Sequence, residues 1–161
     1  MNRTLPTTAM LLGIAGLIPF FVCSLAALTG EPQNSQRALL ALIGYGAVVL
    51  SFLGGVHWGF GLDPSGSPPS QVQRARFGLG VLPALIGWVA LLITFLGFDR
   101  SALLLLAAGY ILTTVTEARG SRVGWVPRGY MGLRWVLSAI VLVLLVSVWL
   151  VLTLGGRVVL W

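Results

Sequence analysis

"ALLALIGYGAVVLSFLGGVHWGF", Ala38–Phe60, contains no Asp, Glu, Lys or Arg. An amphipathic helix of a soluble protein needs a broad polar face, and this run has almost none. Hydrocarbon suits it better, because a helix of roughly 20 apolar residues crosses a bilayer. The stretch therefore predicts a membrane-spanning helix. Its exceptions are few, and His57 among them is the only histidine of the chain.

The rest of the chain repeats that chemistry. Of its 161 residues, 57% are hydrophobic and 9% charged, and the mean hydropathy is +0.97. A soluble domain of this size could not hide so much apolar surface. Five segments are long and apolar enough to be read as spans, at approximately 7–29, 37–62, 76–97, 101–117 and 131–154. The expected fold is all-α: an integral membrane bundle of five transmembrane helices in a single domain, 1–161. The fourth segment is short and spans if the membrane is locally thin or if Glu117 and Arg119 snorkel to the interface. Little chain remains for a soluble catalytic domain, and no enzymatic activity is expected.

The basic residues are ten arginines against four acids. They lie at the segment ends rather than in one patch, which argues against nucleic acid as a partner. Arg3, Arg74, Arg76, Arg119, Arg122, Arg128 and Arg134 fall on the side of the N-terminus. Arg37, Arg100 and Arg157 fall on the other. The bias predicts the N-terminus inside and the C-terminus outside; the expected location is a bacterial plasma membrane, with the N-terminus cytoplasmic. Pro19 and the length of the first segment favour a retained helix over a cleaved signal peptide. Cys23 has no second cysteine to pair with and is expected to be a small core residue.

Pro19 and Pro83 predict kinks in the first and third spans. "TGEPQNSQ", 29–36, reads as a polar turn, and "GLDPSGSPPSQ", with Pro64, Pro68 and Pro69, as a loop too polar to cross. "GFDRS" reads as a tight turn with Asp99 or Ser101 able to cap the next helix. Trp125 and Tyr130 suit the headgroup layer beside Arg122 and Arg128, and Trp161 suits the opposite interface.

Two stripes carry the functional reading. In the second segment Ala47, Ser51, Gly55 and Gly59 recur every four residues, predicting a small-residue face for helix packing. His57 points away from it, so that segment is expected to be central. In the fourth segment Tyr110, Thr113, Thr114 and Glu117 fall at i, i+3, i+4 and i+7, one polar stripe on an apolar helix. The two segments run in the same direction, which brings His57 and Glu117 to similar depth. A polar cluster of His57, Trp58, Tyr110, Thr114 and Glu117 is therefore expected. The inner-side arginines compete for Glu117, and in that alternative His57 bonds a carbonyl or hydroxyl.

No other chemistry is suggested. One histidine with scattered carboxylates is too few for a metal site. Ser51, His57 and Glu117 do not make a triad, because Ser51 and His57 are fixed six residues apart on one helix. The glycines of "GGVHWGFG" follow no strand and imply no phosphate loop. No catalytic residue, metal or cofactor is expected.

"GLIPF" at Gly16–Phe20, "LSFLGGVHWG" at Leu50–Gly59 with Tyr45 before it, and "GYMGLRWVL" at Gly129–Leu137 resemble a family of small membrane proteins. It is the one typified by transmembrane protein sixty-nine, and the resemblance spans essentially the whole chain. It implies a multipass inner-membrane protein and no known activity. Three functions fit. The first is a non-enzymatic packing, assembly or accessory subunit, with the lipid bilayer and other membrane-protein subunits as partners. The second is a binder of a lipid, quinone or tetrapyrrole. The third is a proton or solute pathway through His57 and Glu117.

Overall fold

The computed structural model describes residues 7–62, 70–122 and 130–155. Every regular element among them is an α-helix: α1 (Thr7–Ala15), α2 (Ile18–Thr29), α3 (Pro32–Leu62), α4 (Ser70–Phe95), α5 (Asp99–Arg122) and α6 (Tyr130–Thr153). Five stretches are long and apolar enough to cross a membrane: Thr7–Thr29, Pro32–Gly59, Phe77–Phe95, Asp99–Ser121 and Tyr130–Thr153. The chain is thus an all-α bundle of five candidate spans. Pro64, Pro68, Pro69, Trp125, Arg128, Arg3, Arg157 and Trp161 lie outside the described residues.

The first span is two helices rather than one kinked helix. Proline has no N–H and its ring collides with the carbonyl four residues back. For Pro19 that carbonyl belongs to Ala15, where α1 stops. Pro19 itself sits in the first turn of α2, a position that needs no donor. Tyr45 Oη donates to the Gly16 carbonyl at 2.9 Å, so the break is tied to α3. Pro83, by contrast, is accommodated inside α4 without ending it.

Two expected boundaries move. α3 begins at Pro32, five residues before the expected start, because proline is tolerated in a helix's first turn. Ser35 Oγ donates to the Ala27 carbonyl and joins its first turns to the end of α2. α5 extends from Asp99 to Arg122 instead of ending at Glu117. Ala118 and Arg119 are good helix formers, so the span is of ordinary length and Glu117 lies inside it. Between α4 and α5, Gly97 at φ 85° takes the left-handed conformation glycine allows. Its N–H bonds Thr94 O at 2.9 Å and the Phe98 N–H bonds Ile93 O at 3.1 Å, a Schellman cap. Asp99 then opens α5, and its Oδ2 accepts from Gln36 Nε2 at 3.0 Å.

The helices α2, α3, α4, α5 and α6 close into a ring, each packing on the next and α6 returning to α2; α3 also meets α5 across the middle. α3 and α5, which meet across the middle of the ring, therefore share the central position. Leu42, Ile43 and Leu50 of α3, Leu103 and Leu106 of α5, and Leu145 and Val148 of α6 form the heart of the core. Large apolar side chains such as Phe52, Trp88, Leu85 and Val143 face outward, as surfaces against lipid do.

The small-residue stripe needs correction. Ala47 is buried, and Ser51 Oγ bonds back to the Ala47 carbonyl at 2.8 Å. Gly55 and Gly59 are exposed, with no neighbour within 4 Å of the position a Cβ would take. The close contact falls on Gly54 instead, where a Cβ would lie 2.2 Å from the Gly80 carbonyl oxygen of α4. At about 3.6 residues per turn, each four-residue step drifts about 40° around the helix. Two steps from Ala47 carry Gly55 about 80° off the face, while seven residues bring Gly54 back to within about 20° of it. The seam continues at Gly87, which faces Ala47 backbone atoms.

Candidate functional site

α3 and α5 run in parallel and α6 runs back, so the ends of α3 and α5 meet the start of α6. His57, Glu117 and Arg134 come from those three helix ends. In an otherwise apolar bundle they are 6%, 2% and 5% exposed. Ionisable groups at membrane depth are costly unless paired, and these are paired with one another.

Glu117 divides its carboxylate between two partners. Arg134 Nε donates to Oε2 at 2.6 Å. His57 Nε2 stands 3.3 Å from Oε1. The second contact is close enough for attraction but is not aligned as a hydrogen bond, and Oε1 is buried without a hydrogen-bond partner. The expected competition between histidine and arginine for Glu117 thus ends with one oxygen facing each.

Arg134 is held at every nitrogen. Its Nη1 donates to Ser138 Oγ at 2.8 Å and its Nη2 to Thr113 Oγ1 at 3.2 Å. The single proton of Thr113 Oγ1 is shared between the Gly109 and Tyr110 carbonyls, at 2.9 and 3.0 Å. The Thr114 and Ser138 hydroxyls are bonded across 3.0 Å, and Thr114 Oγ1 also lies 2.8 Å from the Tyr110 carbonyl. Threonine and serine can return their protons to carbonyls one turn back, which leaves their oxygens to accept from the guanidinium. A planar fork of five donors is well matched to such a ring of acceptors.

The structure brings His57, Thr114 and Glu117 of the expected cluster together and leaves two members out. Trp58 is next to His57 in sequence and therefore about 100° away around α3. Its Nε1 donates to the Phe77 carbonyl at 3.1 Å, and its ring packs edge-on to Phe77 at 5.4 Å between centroids. It closes the α3–α4 seam over Gly80 rather than lining a pocket beside His57. Tyr110 is buried, but its hydroxyl reaches α3 and donates to the Gly46 carbonyl at 2.9 Å. Its ring meets Phe20 at 6.2 Å, and it contributes only its own carbonyl to the cluster.

Arg134 is the inner-side arginine that pairs with Glu117, but it is buried rather than interfacial, and Ser138 is a participant outside the expected cluster. The available signal was their four-residue spacing, which places both on one face of α6. No group of three or more His, Cys, Asp or Glu side chains able to hold a metal occurs among the described residues.

The chain resembles known proteins at the level of sequence. Residues 5–150 match the family described as "Protein of unknown function (DUF3429)". Transmembrane protein 69 of Xenopus tropicalis is 41% identical over 87 residues, covering 54% of this chain and 33% of that protein. The Mus musculus protein of the same name is 33% identical over 87 residues, covering 54% of this chain and 34% of its own length. The aligned part is thus about a third of the length of these curated relatives. No solved structure matches the chain. With nearly its whole length matched by one family, and with five candidate spans, the chain belongs to the DUF3429 family of multipass membrane proteins.

Proposed function

We propose that this protein acts without catalysing a reaction, as a packing or accessory subunit of a larger membrane assembly, and that the ionic cluster is the clasp that fixes its own helices. The observation that carries this reading is the saturation of the Arg134 guanidinium by groups of its own chain. All three Arg134 nitrogens bond groups of α5 and α6, so the guanidinium is committed to structure. The ligand-binding alternative relied on Trp58 and Tyr110 beside His57, and both are engaged elsewhere.

We infer a bacterial plasma membrane, in which the arginine bias supports the N-terminus in the cytoplasm and the C-terminus outside. Gly66→Cys and Trp125→Cys, each in a Cys23→Ser background, are then expected to resist an impermeant thiol reagent in intact cells. Labelling of either from outside defeats that orientation. The subunit reading is tested by purifying the protein in mild detergent and measuring the mass and composition of the particle. A stoichiometric membrane-protein partner is expected. A chain that elutes alone with a bound quinone, tetrapyrrole or lipid would replace this reading with the ligand-binding one.

A further inference from the structure

The end of the bundle opposite His57 holds a cavity of about 420 Å³, between the start of α3, the turn into α5 and the end of α6. Its volume falls in the usual range of small-molecule sites, about 300–1,000 Å³. Leu39, Phe98 and Leu152 give it an apolar part, and Gln36, Asp99, Arg100 and Ser101 a polar one. The spans Pro32–Gly59 and Asp99–Ser121 begin at this end and Tyr130–Thr153 finishes there. The cavity therefore lies where the headgroups of a bilayer meet its chains.

Its two charges are adjacent in sequence and opposite in sign, yet they do not pair with each other. Asp99 Oδ2 accepts from the neutral Gln36 amide at 3.0 Å, and Oδ1 has no hydrogen-bond partner. Arg100 is exposed and makes no ion pair among the described residues. We propose that this cavity seats one zwitterionic phospholipid with a primary amine, its phosphate on Arg100, its ammonium at Asp99 and its chains passing Phe98 and Leu152 into the bilayer.

Each part of such a lipid meets matching chemistry. The guanidinium fork suits phosphate oxygens. The Ser101 hydroxyl and the first-turn amides of α5, which have no helical acceptor, add donors on the same wall. An ammonium brings the counter-charge that the Asp99 carboxylate lacks, with three donors. Leu39 is buried at the back of the cavity, whereas Phe98 is 62% exposed and offers a chain its way out to lipid. The charge balance selects a zwitterion over an anionic lipid. Among the described residues the charged side chains at this end are Glu31, Arg37, Asp99 and Arg100, two of each sign.

The proposal concerns the far end from the ionic cluster and holds with or without a partner subunit. Its test is native mass spectrometry of the full chain, released from mixed micelles of equimolar phosphatidylethanolamine, phosphatidylcholine and phosphatidylglycerol with identical chains. One retained phosphatidylethanolamine is expected, preferred about tenfold over each of the others, as one charge-assisted hydrogen bond supplies. The quaternary nitrogen of choline has no N–H to give, and phosphoglycerol has no cation. Asp99→Asn keeps an acceptor for Gln36 and is expected to remove the preference. Arg100→Gln is expected to lower retention of all three lipids. Excess soluble phosphoethanolamine is expected to leave the lipid in place, and displacement by it would overturn the lipid in favour of a free phosphorylated amine. Equal retention of the three lipids by the wild type overturns the proposal without any variant. So does retention that is unchanged in Arg100→Gln.

Discussion

Gly54 and His57 are one turn apart on α3 and hold its neighbours by opposite means. Gly54 works by lacking a side chain. The backbones of α3 and α4 approach so closely there that a Cβ would meet the Gly80 carbonyl oxygen at 2.2 Å. His57 works through its side chain, facing a carboxylate that α5 shares with an arginine of α6. In lipid there is little hydrophobic drive between helices, so close packing and polar contacts must supply the specificity. The seam with α4 uses the first, and the clasp with α5 and α6 uses the second. The two should therefore fail differently.

The clasp is expected to give the larger loss. Glu117→Leu leaves the Arg134 guanidinium buried without a counter-charge, which costs about 3–5 kcal/mol when a buried pair is broken from one side. Adding Arg134→Met removes the orphaned charge and should restore most of that loss. Unfolding of the two variants by denaturing detergent in mixed micelles measures both. A double variant as weak as the single one would show that the charges matter less than the shape they fill.

The seam comes next. Gly54→Ala places a methyl group against a backbone atom that cannot rotate away, and overpacking of this kind costs about 1–3 kcal/mol. Because the clash is with α4, the Arg134 hydrogen bonds on α5 and α6 should survive it. The Arg134 side-chain signals in NMR should then remain in place while the Trp58 indole N–H, bonded to Phe77 on α4, shifts. Coupled movement of both would merge the two regions into one cooperative unit.

The contrast also marks what could be read from the sequence. The spans were legible because composition alone excludes a soluble fold, and Glu117 because a lone acid in an apolar run must find a partner. The polar stripe from Thr113 to Glu117 was legible from period. The helical phase of the seam was not. "GG" at 54–55 offers two glycines about 100° apart, and only the position of α4 decides between them. Arg134 was legible as a charge near a helix end but not as buried, since an arginine one turn into a span can equally extend to the interface. Trp58 neighbours His57 in sequence but stands about 100° from it around α3, so adjacency does not place it in the cluster.

A smaller effect is expected where the two regions share a neighbour. Tyr110→Phe removes the hydroxyl that joins α5 to the Gly46 carbonyl of α3. Gly46 O lies within a helix and retains its helical donor, so no acceptor is stranded. A loss of about 0.5–1.5 kcal/mol, the net worth of one hydrogen bond, is expected in the same micelle assay. A much larger loss would mean that the hydroxyl orients Thr113 and Thr114 as well, and so belongs to the clasp.

The smallest change separates the two glycines of the pair. Gly55 lies mid-helix, and nothing stands within 4 Å of the position its Cβ would take. Alanine there meets no clash and fixes backbone freedom that glycine must lose on folding, which favours alanine by about 0.5–1 kcal/mol in a helix interior. Gly55→Ala should therefore be neutral to slightly stabilising, while Gly54→Ala, one residue earlier, destabilises. The sign difference between adjacent, chemically identical substitutions isolates the close approach of α4 from helix propensity, because propensity is the same at both. A loss at Gly55 equal to that at Gly54 would place a second packed surface on the outer face of α3, against a neighbour outside the five spans of this chain.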